Sequence, residues 1–152
     1  MVDKPENRIK TMNNAHFFDA LFVSLNEGKT VKFRVVGKSM VPFLLEGDIV
    51  VVKASTADDV SIGRIVLGRY KGNYILHRVV GTSREGVRLA GDGNLSLVEE
   101  LDWEDVGAVV IQAFRGNKEI PCDTTWIRAK GMMWYYARPF RALLAKIKKL
   151  SK

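Results

Sequence analysis

A single cysteine in 152 residues is too few for an internal disulfide, and Cys122 has no second thiol with which to build a zinc site. It reads as a spare, partly buried thiol. Long hydrophobic runs are also missing: the longest aliphatic stretches, Ile49-Val50-Val51-Val52 and Ala108-Val109-Val110-Ile111, fall far short of the roughly 20 residues that a spanning helix needs. The first residues carry Asp3 and Glu6, and the apolar segment from Phe17 to Leu25 is interrupted by Asp19, so the basic-then-apolar build of a secretion signal is absent. The expectation is a cytoplasmic chain without signal peptide or transmembrane helix.

Acidic residues are missing altogether from 124 to 152, where Arg128, Lys130, Arg138, Arg141, Lys146, Lys148, Lys149 and Lys152 contribute +8. The formal net charge is +7, so the residues before 124 sum to −1. The basicity belongs to the tail, and no nucleic-acid partner is expected of the protein as a whole, although a basic helix alone is able to bind one. Apolar residues at 47% and charged residues at 27% match a folded globular chain rather than a disordered one.

Three regions differ in pattern. Phe17, Phe18, Leu21, Phe22 and Leu25 recur at helical spacing, Asn14 stands where a cap belongs and Gly28 where a left-handed stop belongs, which predicts a helix over about 15–26. His16 points away from that apolar face and is expected to be solvated and without a role. Strands are predicted at Thr30–Val36, Asp48–Lys53, Arg64–Tyr70, Tyr74–Val80, Gly86–Ala90 and Ala108–Arg115. Lys71-Gly72-Asn73 and Arg84-Glu85-Gly86 have the composition of hairpin turns. Many short strands and few helices point to a mainly β fold, a folded-over sheet or partly open barrel.

After Pro121 come Trp126, Trp134, Tyr135 and Tyr136, then a helix on which Phe140, Leu143, Leu144, Ile147 and Leu150 form one stripe and lysines fill the rest. The organisation expected is one domain over 1–123 and a basic, aromatic, amphipathic segment over 124–152. Two readings of that segment stand side by side. Either residues 134–150 make peripheral contact with a membrane interface, or Phe140, Leu143 and Ile147 pack on the sheet.

The chemistry is carried by Gly37-Lys38-Ser39-Met40-Val41-Pro42, a serine in a tight turn whose main-chain N–H is available to an oxyanion. Taken with Gly47-Asp48, His77-Arg78 and Gly91-Asp92-Gly93-Asn94, it resembles the S24–S26 serine peptidase superfamily, which contains type I signal peptidases and the self-cleaving SOS-type repressors. The four motifs occur in the family's order between about residues 31 and 107. The resemblance implies that superfamily's β fold, a Ser39 nucleophile and, because His77 stands where many relatives have lysine, the histidine version of the chemistry. An imidazole takes a hydroxyl proton near neutral pH, whereas a lysine must first be desolvated.

Alternation along 74–80 places Ile75, His77 and Val79 on one face, with the histidine at least half buried. The third member of the site is open: Asp92 matches the family's first aspartate, and Glu99 is the nearest acid to the position, Val98, where a second is often credited. Gly93 replaces a usual asparagine, Gly63-Arg64 a second Gly-Asp, and Gly37 a hydroxyl residue, which leaves the Ser39 amide as the oxyanion donor. Lys38 is expected to be solvated. The resemblance puts Met40 against substrate or membrane.

The implied function is a serine endopeptidase, without cofactor or metal, acting on an extended peptide. Its rails would be the strand before Ser39 and the strand leading to Asp92. The alternatives are an inactive peptide-binding module of the same fold, or a protein that binds nucleic acid or membrane through its tail. A repressor with its own DNA-binding domain is disfavoured by the few residues before Ser39.

Overall fold

The computed structural model describes residues 15–152. Asn14, the expected cap of the first helix, lies outside them. Helix α1 runs Ala15–Asn26 and is followed by Gly28 at φ +80°, the left-handed stop that a residue with a Cβ adopts only at a cost. Then come β1 (Val31–Arg34), β2 (Ile49–Ala54), β3 (Ile65–Tyr70), β4 (Asn73–Thr82), β5 (Val87–Ala90), β6 (Glu99–Leu101), a 3₁₀ turn (Trp103–Asp105), β7 (Val106–Arg115) and β8 (Lys118–Ile120). Two helices close the chain, α2 (Thr125–Tyr136) and α3 (Arg138–Leu150), where the sequence pattern predicts one.

The strands form one antiparallel sheet in the order β1-β2-β7-β3-β4-β5-β6, with β8 added beside β7. The β3–β4 hairpin turns on Lys71 and Gly72, both at positive φ, as the right-handed twist of a two-residue loop requires. Register shifts at Val51/Val52, Leu67/Gly68 and Val79/Gly81 let the sheet curl into a half-barrel. The fold is therefore mainly β, with an N-terminal helix and C-terminal helices.

Period-two alternation divides the core between the two faces of the sheet. Ile65 and Leu67 join Phe33, Val50, Val52, Leu76 and Val110 in a cluster sealed by Phe17, Phe18, Leu21 and Leu25 of α1. Val66 points the other way, to Val60, Val79, Val87, Leu89, Leu101 and Val109. Cys122 is buried in the first cluster, where desolvation, helped by the nearby Asp123 and Glu119 charges, raises its thiol to about 11. A thiol held there is inert at neutral pH.

Met40 also belongs to this core at 1% exposure, so its side chain faces neither substrate nor membrane. Strands β6 and β8 were not anticipated by apolar patterning, because two of the three residues in each are charged. No helix among the described residues is long and apolar enough to cross a membrane.

Candidate active site

Between β1 and β2 the chain makes the compact turn that carries Ser39. Gly37 adopts φ +82° and donates its N–H to Glu46, the Val41 amide bonds the Lys38 carbonyl, and the Phe43 and Leu44 amides both bond the Met40 carbonyl. The Val41–Pro42 peptide is cis. Asp48 anchors the far end of the segment by accepting the Leu45 amide at 2.8 Å and a two-pronged Arg115 contact at 3.0 and 2.8 Å. Burial alone would raise the Asp48 carboxyl, but the Arg115 hydrogen bond and charge and the Leu45 amide outweigh it, and the net shift is downward. Lys38 is exposed, as its place beside the turn suggests.

His77 lies in β4 on the same face as Val79 and is 6% exposed. Its neighbour Arg78 points to the opposite face and is 1% exposed. The two adjacent residues thereby face two different carboxylates. His77 Nδ1 lies 3.0 Å from Glu99 Oε2, and Glu99 is itself 2% exposed. Arg78 donates from Nε and Nη2 to the two oxygens of Asp92 at 2.8 and 2.7 Å, and from Nη1 to the Gly63 carbonyl at 2.7 Å.

Of the two candidates for the third residue, then, Glu99 lies on the imidazole and Asp92 on the neighbouring guanidinium. Pairing explains the geometry: Val79 is opposite Leu89 and Leu89 opposite Glu99, so all three share a face, and the Glu99 side chain reaches diagonally to His77. Burial pushes the Asp92 carboxyl above its ordinary value, opposed chiefly by the Arg78 contact and less by the charges of His77 and Arg141.

Gly91 stands beyond Ala90, the residue paired with Arg78, and brings the Ser39 turn to the imidazole. A Cβ on Gly91 would lie 2.6 Å from the Ser39 carbonyl oxygen, 2.9 Å from Asn94 Nδ2 and 3.0 Å from His77 Nε2. Only glycine permits this approach. Gly93 continues it, donating to the Ser39 carbonyl at 2.8 Å, while a Cβ there would lie 2.6 Å from the Lys38 carbonyl.

The nitrogen facing the serine turn is Nε2, because Nδ1 is committed to Glu99. Among the described residues no hydrogen bond joins the Ser39 hydroxyl to that nitrogen, and the Ser39 amide is likewise unbonded. Hydrogen bonds of this kind commonly tighten only when substrate is present.

Sequence reasoning missed the part played by the C-terminal helices. Thr124 caps α2 by accepting the Ile127 amide, and Gly131 of α2 lies flat against the Arg78 guanidinium, where a Cβ would collide with it. Trp134 Nε1 donates to the Asp92 carbonyl at 2.8 Å, and Arg141 of α3 donates to the same oxygen at 3.1 Å while stacking on the Trp134 ring. Arg138 reaches the Leu97 carbonyl at 3.0 Å and the Gly91 carbonyl at 3.5 Å. The loop between β5 and β6 is thus held from behind by three side chains that sequence patterning places in a basic, aromatic tail.

Two surface depressions, of about 380 Å³ beside Arg88 and Glu100 and about 490 Å³ beside Ile111 and Cys122, contain neither Ser39 nor His77. Strand β1, which precedes the serine turn, pairs with β2 alone and so is an edge of the sheet. Of the two expected rails only β1 is an edge. The strand leading to Asp92, β5, is paired with β4 on one side and with β6 on the other.

A curled antiparallel sheet that brings a serine turn near a buried histidine–carboxylate pair defines a mainly β, peptidase-like fold. The chain belongs to the Peptidase S24-like family, whose sequence model matches residues 5–97. No curated protein matches the chain significantly. The matched segment ends two residues short of Glu99, so the acid on the imidazole is supplied from beyond it.

Proposed function

We propose that the protein is a serine endopeptidase in which Ser39 is the nucleophile, His77 the general base and Glu99 the group that orients the imidazole. The observation that carries this reading is the 3.0 Å contact between His77 Nδ1 and buried Glu99, with Nε2 turned toward the Ser39 turn. An ionised carboxylate only accepts, so Nδ1 carries the proton and Nε2 keeps its lone pair.

Ser39 Oγ attacks the peptide carbonyl carbon as Nε2 takes the hydroxyl proton. Glu99 stabilises the imidazolium that forms, and the Ser39 amide faces the oxyanion. The C–N bond then breaks, Nε2 returns the proton to the leaving amine, and water hydrolyses the acyl-enzyme by the same sequence in reverse roles. Edge strand β1 leads straight into the turn and is suited to align an extended peptide by strand addition.

The test is turnover of a panel of extended peptides with small residues at the cleaved bond. The parent should hydrolyse members of the panel, and Ser39→Ala should lose about 10³-fold or more in kcat/KM while retaining peptide binding. Equal hydrolysis by both proteins would remove Ser39 from the chemistry. Binding by the parent without turnover would replace this reading with the peptide-binding module.

A further inference from the structure

Helix α3 is amphipathic the wrong way round for a helix that packs on its own protein. Arg138, Arg141, Ala142 and Ala145 form its inward face, with Arg138 8% exposed and the other three half-buried. The apolar stripe lies opposite and faces out: Phe140 is 73% exposed, Leu143 55%, Leu144 64%, Ile147 53% and Leu150 86%. Packing of this stripe on the sheet, one of the two sequence-based readings, is therefore overturned. A continuous apolar helix face left in water marks an interaction surface, not a scatter of single exposed residues.

Charge selects the occupant. Residues 138–152 carry six basic side chains and no acid, and Lys146 and Lys148 flank the stripe on its two sides, with Lys149 behind. Two copies of this helix laid stripe to stripe would bring like charges together. A bilayer surface with anionic headgroups accepts both parts at once, the stripe at the acyl boundary and the lysines at headgroup level with their stems along the apolar surface. On α2, Tyr136 and Met133 are also exposed, at 71% and 67%, whereas Trp134 and Tyr135 are occupied under Arg141 and Arg138.

We infer that α3 is a peripheral anchor that lays its outward apolar stripe into the interface of an anionic membrane. Its inward arginines meanwhile hold the Gly91, Asp92 and Leu97 carbonyls behind the candidate site. The site is then carried at the membrane surface by the same helix that braces it.

The experiment is co-sedimentation of the full chain with vesicles of phosphatidylcholine alone and of phosphatidylcholine mixed with phosphatidylglycerol, with the oligomeric state measured by sedimentation velocity. A monomer should partition onto the mixed vesicles, more weakly at high salt and onto neutral vesicles. Leu143→Ser/Ile147→Ser and, separately, Lys146→Gln/Lys148→Gln/Lys149→Gln should each cut the partition coefficient roughly tenfold or more. All five side chains are exposed, so an unchanged melting curve checks that both variants fold.

Absence of vesicle binding, or equal binding by the variants, overturns the inference. So does a dimer that Leu143→Ser/Ile147→Ser converts to monomer, which would assign the stripe to a second copy. Ser39→Ala should bind vesicles as the parent does, so the outcome stands apart from the peptidase reading.

Discussion

At the scale of single residues, the proposed function separates chemistry from structure at two adjacent positions on one strand. His77 and Arg78 point to opposite faces of β4, and each takes one buried carboxylate. Their substitutions should therefore fail in different ways. Glu99→Gln keeps an acceptor near Nδ1 but removes the charge that stabilises the imidazolium, so kcat should fall by about 10²–10⁴-fold with KM little changed. Asp92→Asn leaves a buried guanidinium half-compensated and should lower stability by about 3–5 kcal/mol. Urea unfolding and steady-state kinetics on both variants separate the two roles, and the assignment fails if Asp92→Asn is as stable as the parent while losing turnover.

At the scale of elements, β6 and α2 matter more than their lengths suggest. Strand β6 has three residues, and its inward residues, Glu99 and Leu101, bracket an outward Glu100. An inward acid breaks the apolar alternation by which strands are read, which is why this strand and the imidazole's partner were both hard to locate from the chain alone. Helix α2 was legible only as a cluster of aromatics. Its Trp134 donates to the Asp92 carbonyl, and Trp134→Phe should remove that bond at a cost of about 1 kcal/mol in stability. If Trp134 positions the loop, kcat should fall several-fold with KM preserved, and an unchanged kcat would make the contact merely structural.

Across the whole molecule, stability in acid should follow the carboxylates with shifted values. Asp59 is lowered from its usual 3.8 to about 2, by the Thr56 amide first, against a smaller effect of burial, and then by Lys53 and the Thr56 hydroxyl. A folded-state value below the unfolded one contributes stability that is fully present above about 3.8 and lost as the pH falls through about 2. Asp48 acts in the same sense. Asp92 runs the other way: its folded-state value is raised, so its contribution declines as the pH rises through the window above its ordinary value. Unfolding free energy measured from pH 2 to 4 should rise, and Asp59→Asn should flatten that slope. An unchanged slope would deny Asp59 its part.

What the amino-acid sequence determined by itself was local: the helix at 15–26, six of the strands, the hairpin at Lys71-Gly72 and the serine turn, because each is written in periodicity or in glycine placement within a few residues. Its ordered motifs also pointed to the family. Only the tertiary structure puts Glu99, and not Asp92, in contact with the imidazole, since strand register, and not distance along the chain, sets which carboxylate faces it. It likewise decided which side of α3 faces out. A helical wheel orders residues around an axis but does not say where the rest of the protein lies, and here the arginines had carbonyls to reach on the inside.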